Sequence, residues 1–367
     1  MSIAPPSSHA LSHLELVEAA ILAPSPDNNQ PWRFASQADR LLVYLAMEKR
    51  LPSDVNAMSD LTGLGAAIEN IGIAASEVGY SAKVEYLAPP TIATVEDARE
   101  PLARISLSPG GGPDPLFAQL EARCTCRKLY SSRPVEADCL ARLSEAAKGV
   151  PDVQVDWITD RRRIRSFARL ISTTDLIRFQ SETFHNEIFR QLRFTPEEAE
   201  RTREGMDVRT LELPPGTVLL LRLLRPWNRM RWLHRLGLGR LLTVPSVVSV
   251  LKSGAIGVLS VPEPTANAFL RGGQAFQRIW LAATAEELSL QPLGSPGVFF
   301  AHIEQLAGRK LTDRQQRILH QARARFGQIV PDIEARTVQI AFRVGHCRAP
   351  RFRSLRLRAE ETLISEG

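Results

Sequence analysis

The sequence predicts an α+β fold built from two similar halves, on the basis of three observations. The chain has 367 residues, enough for two domains or for one large fold made of two related parts. Segments with helical spacing of apolar residues are interleaved with short strand-like segments. A helix rich in small and apolar residues, followed by a strand-like exit, occurs twice, at 63–87 and at 272–293. We therefore expect a duplicated half.

The N-terminal part of the chain is expected to contribute one complete unit. The spacing and composition predict helices over 11–23 and 61–79 and strands over 32–34, 40–45, 81–87 and 103–107. A segment rich in Pro and Gly, SPGGGPDP at 108–115, follows as a linker. The predicted boundary between the halves therefore lies at residue 112.

The second unit, residues 113–367, is longer and more helical. The patterning predicts helices over 116–124, 137–147, 160–191 and 270–288 and a strand over 337–344. A polar stretch at 195–210 and an Arg-rich, Leu-rich stretch at 214–248 interrupt this unit. We expect them to form a lid insertion at about 195–248. Pro226, Gly237 and Gly239 predict that its second part is broken into short helices.

The charge pattern permits phosphate ligands without requiring them. The formal net charge is +6, and 40 of the basic residues are Arg while 6 are Lys. Arg suits planar phosphate and carboxylate partners, but a GC-rich genome accounts for the same bias. No apolar run reaches about 18 residues and the first 20 residues lack a signal-peptide pattern, so we expect a cytoplasmic protein without stable membrane insertion. The Cys and His spacings predict no metal site.

Three strings carry polar groups suited to chemistry. The turn APSPDNNQPWRF at 23–34 offers amides that complement a heterocycle, or merely satisfy the end of a helix. The string RCTCRKLY at 123–130 holds two arginines that could converge on a phosphate, or form a solvated basic turn. The string RFRSLRLR at 351–358 suits a phosphate clamp, a nucleic-acid patch or a basic tail.

Together with the 272–293 segment, these strings resemble the nitroreductase superfamily of flavoproteins, over roughly residues 11–365. More narrowly, the chain is similar to a tandem branch in which two nitroreductase-like halves in one chain mimic the usual homodimer. The resemblance implies a mainly antiparallel sheet flanked by helices in each half. It also implies one FMN per chain, held between the two halves.

The resemblance implies a set of cofactor-binding residues drawn from four strings. Their numbers in this chain are Ser25, Pro26, Asn28 and Gln30; Arg123, Cys124, Thr125 and Arg127; Pro292, Leu293, Gly294 and Ser295; and Arg353, Ser354 and Arg356. Cys124 departs from the Arg or His often found in its string, and Gly294 lies where many nitroreductases carry Glu. No catalytic side chain is expected, because the flavin performs the redox step.

The function implied is an FMN-dependent oxidoreductase that uses NADPH or NADH to reduce a nitroaromatic, a quinone or an unknown small-molecule acceptor. A flavin-sequestering protein with a closed lid is the alternative. Such a chain acts as a monomer that mimics a dimer, or as a homodimer. Nucleic-acid binding is not expected, because no module with aromatic stacking positions is present. For the 214–248 stretch, an interfacial membrane helix and a lid beside the flavin pocket both remain open.

Overall fold

The computed structural model describes residues 12–92, 94 and 98–364. This part leaves out residues 1–11 of the predicted N-terminal half, so it leaves out residue 11 of the first predicted helix. It also leaves out residues 365–367 of the C-terminal half.

The N-terminal half consists of one sheet and two helices. Its elements are α1 (His13–Ile21), β1 (Trp32–Gln37), β2 (Arg40–Leu45), α2 (Met58–Glu77), β3 (Tyr80–Tyr86) and β4 (Ala103–Pro109). The strands pair antiparallel in the order β1-β2-β4-β3. Ser12 and Glu15 form a capping box that begins α1.

The C-terminal half contains a second sheet and most of the helices. Its elements are α3 (Ala137–Ala146), β5 (Gln154–Ile158), α4 (Arg161–Gln180), α5 (Glu182–Gln191), β6 (Leu192–Arg193), α6 (Pro196–Thr202), β7 (Met206–Asp207), α7 (Thr217–Leu224), α8 (Trp227–Arg235), α9 (Val244–Leu251), β8 (Ala255–Val261), α10 (Ala266–Ala285), β9 (Ser289–Leu293), α11 (Ser295–Gln305), α12 (Asp313–Ile329), β10 (Thr337–Gly345) and α13 (Ala359–Thr362). Its main strands also pair antiparallel, in the order β5-β8-β10-β9.

The two sheets share one topology. In each, the first strand pairs with the second, the second with the fourth and the fourth with the third. A helix of 20 residues, α2 or α10, precedes the third strand in both. This repetition confirms the predicted α+β class with two pseudo-symmetric halves.

The halves differ between their first two strands. In the N-terminal half β1 and β2 are joined by the two residues 38–39, whereas 159–254, with α4 to α9, separate β5 from β8. The inserted segment is therefore longer than the lid predicted at 195–248. Within it the predicted break into short pieces is confirmed, because α7 ends before Pro226 and α8 ends before Gly237.

Helices α2 and α10 pack directly against each other between the sheets. A Cβ atom on Gly65 would lie 2.0 Å from the carbonyl oxygen of Leu270, and one on Gly273 would lie 2.3 Å from that of Thr62. Only glycine permits this backbone approach. The amide of Gln277 donates to the side-chain oxygen of Asn70 at 2.7 Å across the same contact.

The second sheet is covered on both faces. Leu259 and Phe342 face the core that α2 and α10 share, while Ile256 and Val258 face a second core under α4, α11 and α12. All seven residues of β8 are consequently buried. A third, smaller core lies within the insertion, around Met230.

The last residues of the described chain return to the first half. After β10 the segment 346–364, here called the C-terminal arm, runs back to β1, where the Ile364 amide donates to the Phe34 carbonyl at 2.8 Å. The C-terminal arm therefore pairs with β1, the edge strand of the sheet in the N-terminal half.

Three predicted elements differ from the structure. The helix expected at 116–124 is wrong, because only a single 3₁₀ turn, Phe117–Gln119, forms there. The helix expected at 160–191 is divided at Ser181, whose backbone is extended. The linker expected from residue 108 begins later, because Ser108 and Pro109 belong to β4. In the described part of the chain, no helix is long and apolar enough to cross a membrane.

Candidate functional site

A cavity of about 360 Å³ lies where the two halves meet. Four segments converge on it: the turn between α1 and β1, the segment 123–130, the loop from β9 to α11, and the C-terminal arm. The central helices α2 and α10 also contribute to its wall. Residues far apart in the sequence therefore form one concave site, which is the usual form of a small-molecule site.

The turn at 24–31 is held in an unusual backbone conformation. Asp27, Asn28 and Gln30 have positive φ angles of 49°, 58° and 51°. Such angles cost free energy in residues with a side chain and persist only where surrounding contacts enforce them. The Ser25 hydroxyl accepts from the Gln30 amide at 3.0 Å, which stabilises this turn from within.

The amide side chains of the turn contact protein backbone. Asn28 Nδ2 donates to the carbonyls of Gly205 and Leu355 at 3.0 and 3.1 Å. Gln30 Nε2 donates to the Arg203 carbonyl at 2.8 Å, and its Oε1 accepts from the Leu357 amide at 2.8 Å. These groups join the turn to the insertion and to the arm. These hydrogen bonds are the partners of the two amides within the chain, and the binding of a heterocycle by Asn28 and Gln30 stays a prediction.

The segment 123–130, here called the strap, is extended rather than helical. Thr125 forms a parallel bridge with Leu290, and the Cys126 amide donates to the Leu290 carbonyl at 3.1 Å. The strap therefore follows the free edge of β9 and brings Arg123 and Arg127 to the cavity. The convergence of these two arginines follows from extended geometry, not from a helix start.

Three arginines line the cavity without a carboxylate oxygen within 4.0 Å in the described chain, although Asp27, which lines the same cavity, attracts Arg127 from farther away. Among the described residues, no Asp or Glu oxygen lies within 4.0 Å of the side-chain nitrogens of Arg123, Arg127 or Arg356. Arg123 is buried and donates to the Leu22 carbonyl at 2.7 Å, while its Nε has no partner. Arg356 Nη1 donates to Asn28 Oδ1 at 2.7 Å, and its Nε is likewise buried without a partner.

Burial makes the charged form of these guanidinium groups less favourable than it is in water. Burial, followed by repulsion from Arg356, lowers the pKa of Arg123 to about 9. Burial also lowers the pKa of Arg356 to about 10 and that of Arg127 below its usual value. Cations held this way need a compensating anion, because uncompensated buried charge is costly.

An adjoining cavity of about 310 Å³ shares these arginines. Thr125 and Ser354 line both cavities, while Cys124 and Arg353 line only the second. Arg353 donates to the Arg123 carbonyl at 2.6 Å, which fixes the arm to the strap. The guanidinium and hydroxyl groups of this cavity suit an oxyanion such as phosphate, and the exposed Glu121 lies among its other lining residues.

The opposite end of the cavity is bounded by the loop from β9 to α11. Pro292, Gly294 and Ser295 line the cavity, and the Ser295 hydroxyl lies 3.0 Å from that of Thr174 on α4. Leu293 instead packs against the second core. A Cβ on Gly294 would meet no atom within 4 Å, so the space beside this residue is open.

Aromatic side chains form the apolar part of the wall. Phe276 and Trp280 of α10, with Phe184 and Phe299, line the cavity. The Arg123 guanidinium lies 4.6 Å from the centre of the Trp280 ring, a cation–π contact. Sequence reasoning missed these residues because aromatic residues on a helix facing a core and on one facing a cavity follow the same spacing.

A buried carboxyl pair lies at one side of the cavity. Asp54 lines the cavity and accepts from the backbone amides of Ser59 and Asp60 at 2.9 and 3.0 Å. Burial raises the pKa of Asp54, and burial together with the Asp54 charge raises that of Asp60 well above its usual value. These carboxyl groups therefore retain protons more readily than exposed ones do.

The insertion closes over the turn. Met206 lines the cavity, the Gly205 amide donates to the Asn28 carbonyl at 3.0 Å, and Arg203 Nε donates to the Arg356 carbonyl at 2.6 Å. An ion pair between Lys49 and Glu204 adds a further link. The insertion is thus attached both to the turn and to the arm.

Most of the residues expected from the sequence meet at this site. Those lining the main cavity are Ser25, Pro26, Asn28, Arg123, Thr125, Arg127, Pro292, Gly294, Ser295, Ser354 and Arg356. Cys124 and Arg353 lie in the adjoining cavity, while Gln30 and Leu293 line neither.

No family model matches this chain. An uncharacterized protein of Mycobacterium tuberculosis (strain CDC 1551 / Oshkosh), MT1398, is 27% identical over 344 residues, which cover 91% of this chain. The chain spans 46% of that relative's length.

Comparison with solved structures finds nitroreductases. A putative nitroreductase from Anabaena variabilis covers 91% of this chain and 73% of its own, with a TM-score of 0.41 and 10% identity. The FMN- and NADPH-dependent nitroreductase NfnB from a Sphigopyxis strain covers 69% of this chain and 99% of its own, with a TM-score of 0.37 and 16% identity. A nitroreductase with bound FMN from Bacteroides fragilis covers 64% and 89%, with a TM-score of 0.36 and 11% identity.

Proposed function

We propose that this protein is an FMN-dependent oxidoreductase of nitroreductase type. It transfers electrons from NADPH or NADH to a small-molecule acceptor such as a nitroaromatic or a quinone. The observation that carries the proposal is the group of three arginines, Arg123, Arg127 and Arg356, which face one cavity without a carboxylate partner in the described chain. A phosphate supplies the missing negative charge.

The other groups of the cavity fit the remaining parts of such a cofactor. Thr125 and Ser354 offer hydroxyls beside the arginines, and the unpartnered Nε atoms of Arg123 and Arg356 are free to donate. Phe276 and Trp280 provide an apolar wall for a flat ring system. Charged residues line one part of the cavity and aromatic residues line another. This arrangement suits a molecule with a phosphate at one end and a heterocycle at the other.

Bound FMN supplies reversible two-electron chemistry between a nicotinamide and an acceptor. The chain's residues bind, orient and shield the reactants. The arginines hold the anionic end, the lid residue Met206 limits access of water, and the loop 292–295 leaves space beside Gly294 for a second ring. Asp54 lies at the cavity wall, where burial raises the pKa of its carboxyl group.

The test compares FMN with riboflavin, which lacks the phosphate. We expect the apoprotein to bind FMN at least about 100-fold more tightly than riboflavin, since two or more charge-assisted hydrogen bonds are involved. Arg123→Ala and Arg356→Ala should each lower FMN affinity by about tenfold or more and leave riboflavin affinity nearly unchanged. Fluorescence titration of the flavin measures both constants.

Arg314→Ala is the matched control, because Arg314 is exposed on α12 and lines neither cavity. This variant should bind both flavins like the unaltered protein. Equal affinity for FMN and riboflavin, or equal FMN affinity in all three variants, would contradict the phosphate assignment.

The closed lid favours a second candidate function, the sequestering of flavin. The contacts of Gly205 and Arg203 with the turn and the arm restrict the entry of a second substrate. Anaerobic mixing of the FMN-loaded protein with NADPH or NADH separates the two functions. Rapid bleaching of the flavin absorbance supports the oxidoreductase, whereas flavin that stays oxidised with both reductants supports sequestration.

A further inference from the structure

The outer surface of the insertion is unusually apolar for a surface exposed to water. The described chain exposes 13 large apolar side chains, and eight of them lie between residues 219 and 244. Leu219 and Trp232 are each 63% exposed. Concentration of such side chains on one segment, rather than their scatter, marks an interaction surface.

The same helices already have an inward apolar face. Leu221 and Leu224 of α7 and Met230 of α8 pack in the small core of the insertion. Leu219, Leu220 and Leu223 project from α7 on the other side. A helix that is apolar on all sides requires an apolar environment on all sides, and the described chain covers only one of them.

Arginines surround the exposed apolar residues. Arg222, Arg225, Arg229, Arg231, Arg235 and Arg240 are all exposed, and none has a carboxylate within 4.0 Å in the described chain. The sequence has no Asp or Glu between Glu212 and Glu263. This surface is therefore positive as well as apolar.

We propose that the outer face of α7, α8 and residues 236–244 binds the surface of an anionic lipid bilayer. Arginines attract the anionic headgroups, while the leucines and Trp232 enter the boundary between headgroups and acyl chains. The short helices, broken at Pro226 and Gly237, lie on the bilayer and do not span it. A second copy of the chain is a weaker occupant, because two surfaces of the same positive charge repel each other.

The experiment uses the full chain and lipid vesicles. We expect co-sedimentation with vesicles of phosphatidylcholine and phosphatidylglycerol at ~0.1 M NaCl, and at least about tenfold weaker binding to pure phosphatidylcholine or at ~0.5 M NaCl. Trp232 is the most exposed of the five tryptophans, so its emission should shift to shorter wavelength and be quenched by brominated acyl chains. Trp232→Phe should remove this shift and preserve sedimentation.

Two double variants test the two parts of the surface. Arg231→Glu with Arg235→Glu, and Leu219→Ser with Leu223→Ser, should each weaken binding to anionic vesicles by about tenfold or more. Arg314→Glu with Arg317→Glu, on the exposed side of α12, makes the same change in net charge and should bind normally. Near-ultraviolet circular dichroism confirms that each variant is folded.

Three outcomes would overturn the proposal. They are no binding to anionic vesicles at low salt, equal binding to neutral vesicles, and equal losses in the Arg231/Arg235 and Arg314/Arg317 variants. A concentration-dependent dimer that disappears in the Leu219/Leu223 variant, without vesicle binding, would identify a second copy as the occupant. Vesicle binding does not depend on flavin. A protein that binds no FMN can therefore still bind vesicles, so the two proposals can fail independently.

Discussion

At Arg123 the requirements of stability and of ligand binding oppose each other. This side chain is buried against Trp280, it has one unpartnered nitrogen, and it lies near the charge of Arg356. A guanidinium in such a place lowers the free energy of unfolding, because its desolvation is not repaid by a carboxylate. The positive φ angles of the nearby turn add a further cost. Such losses of folding free energy are concentrated at ligand-binding and active sites.

The pKa of Arg123 predicts how binding of a phosphorylated ligand depends on pH. Only the protonated guanidinium attracts the phosphate, and its pKa in the free protein is about 9. The ratio of FMN to riboflavin affinity should therefore be constant between about pH 7 and 8, where the phosphate is fully ionised, and should fall as the pH rises through about 9. Using the ratio cancels any pH effect on the ring. Fluorescence titrations in a pH series measure it.

Arg123→Gln provides the control for this pH dependence. The ratio in this variant should start lower and should show no inflection near pH 9, since glutamine does not titrate. A ratio in the unaltered protein that stays constant to pH 11 would be inconsistent with Arg123 as the controlling group.

Short polar strings in the sequence located both charged and uncharged residues of the cavity, such as Arg356 and Thr125. Arg123, Arg127 and Arg356 stand in short polar strings, which residue types and spacing reveal. Asn28 lines the cavity and Gln30 does not, and the hydrogen bonds of their side-chain amides to residues 203–205 and 355–357 depend on tertiary structure. Sequence alone cannot distinguish an amide that awaits a ligand from one that joins two segments.

At the scale of elements, the contact between α2 and α10 depends on glycine. Gly65→Ala would put a methyl group against the Leu270 carbonyl, and backbone cannot move aside as a flexible side chain can. We expect the free energy of unfolding to fall by about 2 kcal/mol or more. Urea denaturation followed by circular dichroism measures this change.

Gly72→Ala, in the same helix, is the matched control. The nearest atom to a Cβ at this position is that of Ala82, at 3.9 Å, so the methyl group fits. Because alanine favours helix over glycine, the free energy of unfolding should rise by about 0.5–1 kcal/mol. Equal effects of the two substitutions would refute the close backbone contact.

Alternation of residue types located β3 and most of β10 but missed β8. β3 alternates between half-buried and exposed residues and was predicted almost to its ends. β8 is buried on both faces, so its residues AIGVLSV show no alternation. The helix expected at 116–124 has suitable spacing but follows Pro113 and Pro115, and the chain there remains largely irregular as it approaches the strap.

At the scale of the whole molecule, the C-terminal arm joins the halves and carries part of the site. A chain ending at Gly345 keeps both sheets but loses Ser354 and Arg356. We expect it to lose at least about 100-fold in FMN affinity, since the charged contacts of the arm are removed together. Equilibrium binding of FMN to the purified truncated chain measures this loss.

A chain ending at Arg358 provides the comparison. It keeps the arginines of the arm and lacks α13 and the bridge of Leu363 to Phe34. This shorter deletion should lower the melting temperature and preserve most of the FMN affinity. If both truncated chains bound FMN equally, the arm would have no part in the site.

The first two strands are joined by connections of unequal length in the two sheets, and this difference bears on how the sequence can change in evolution. In a symmetric homodimer every insertion appears twice, at related positions, and both copies must be accommodated. Here two residues join β1 to β2, whereas the segment containing α4 to α9 joins β5 to β8. A duplication within one chain releases each copy from the constraint of matching the other. One half can then keep a compact hairpin while the other acquires new surface.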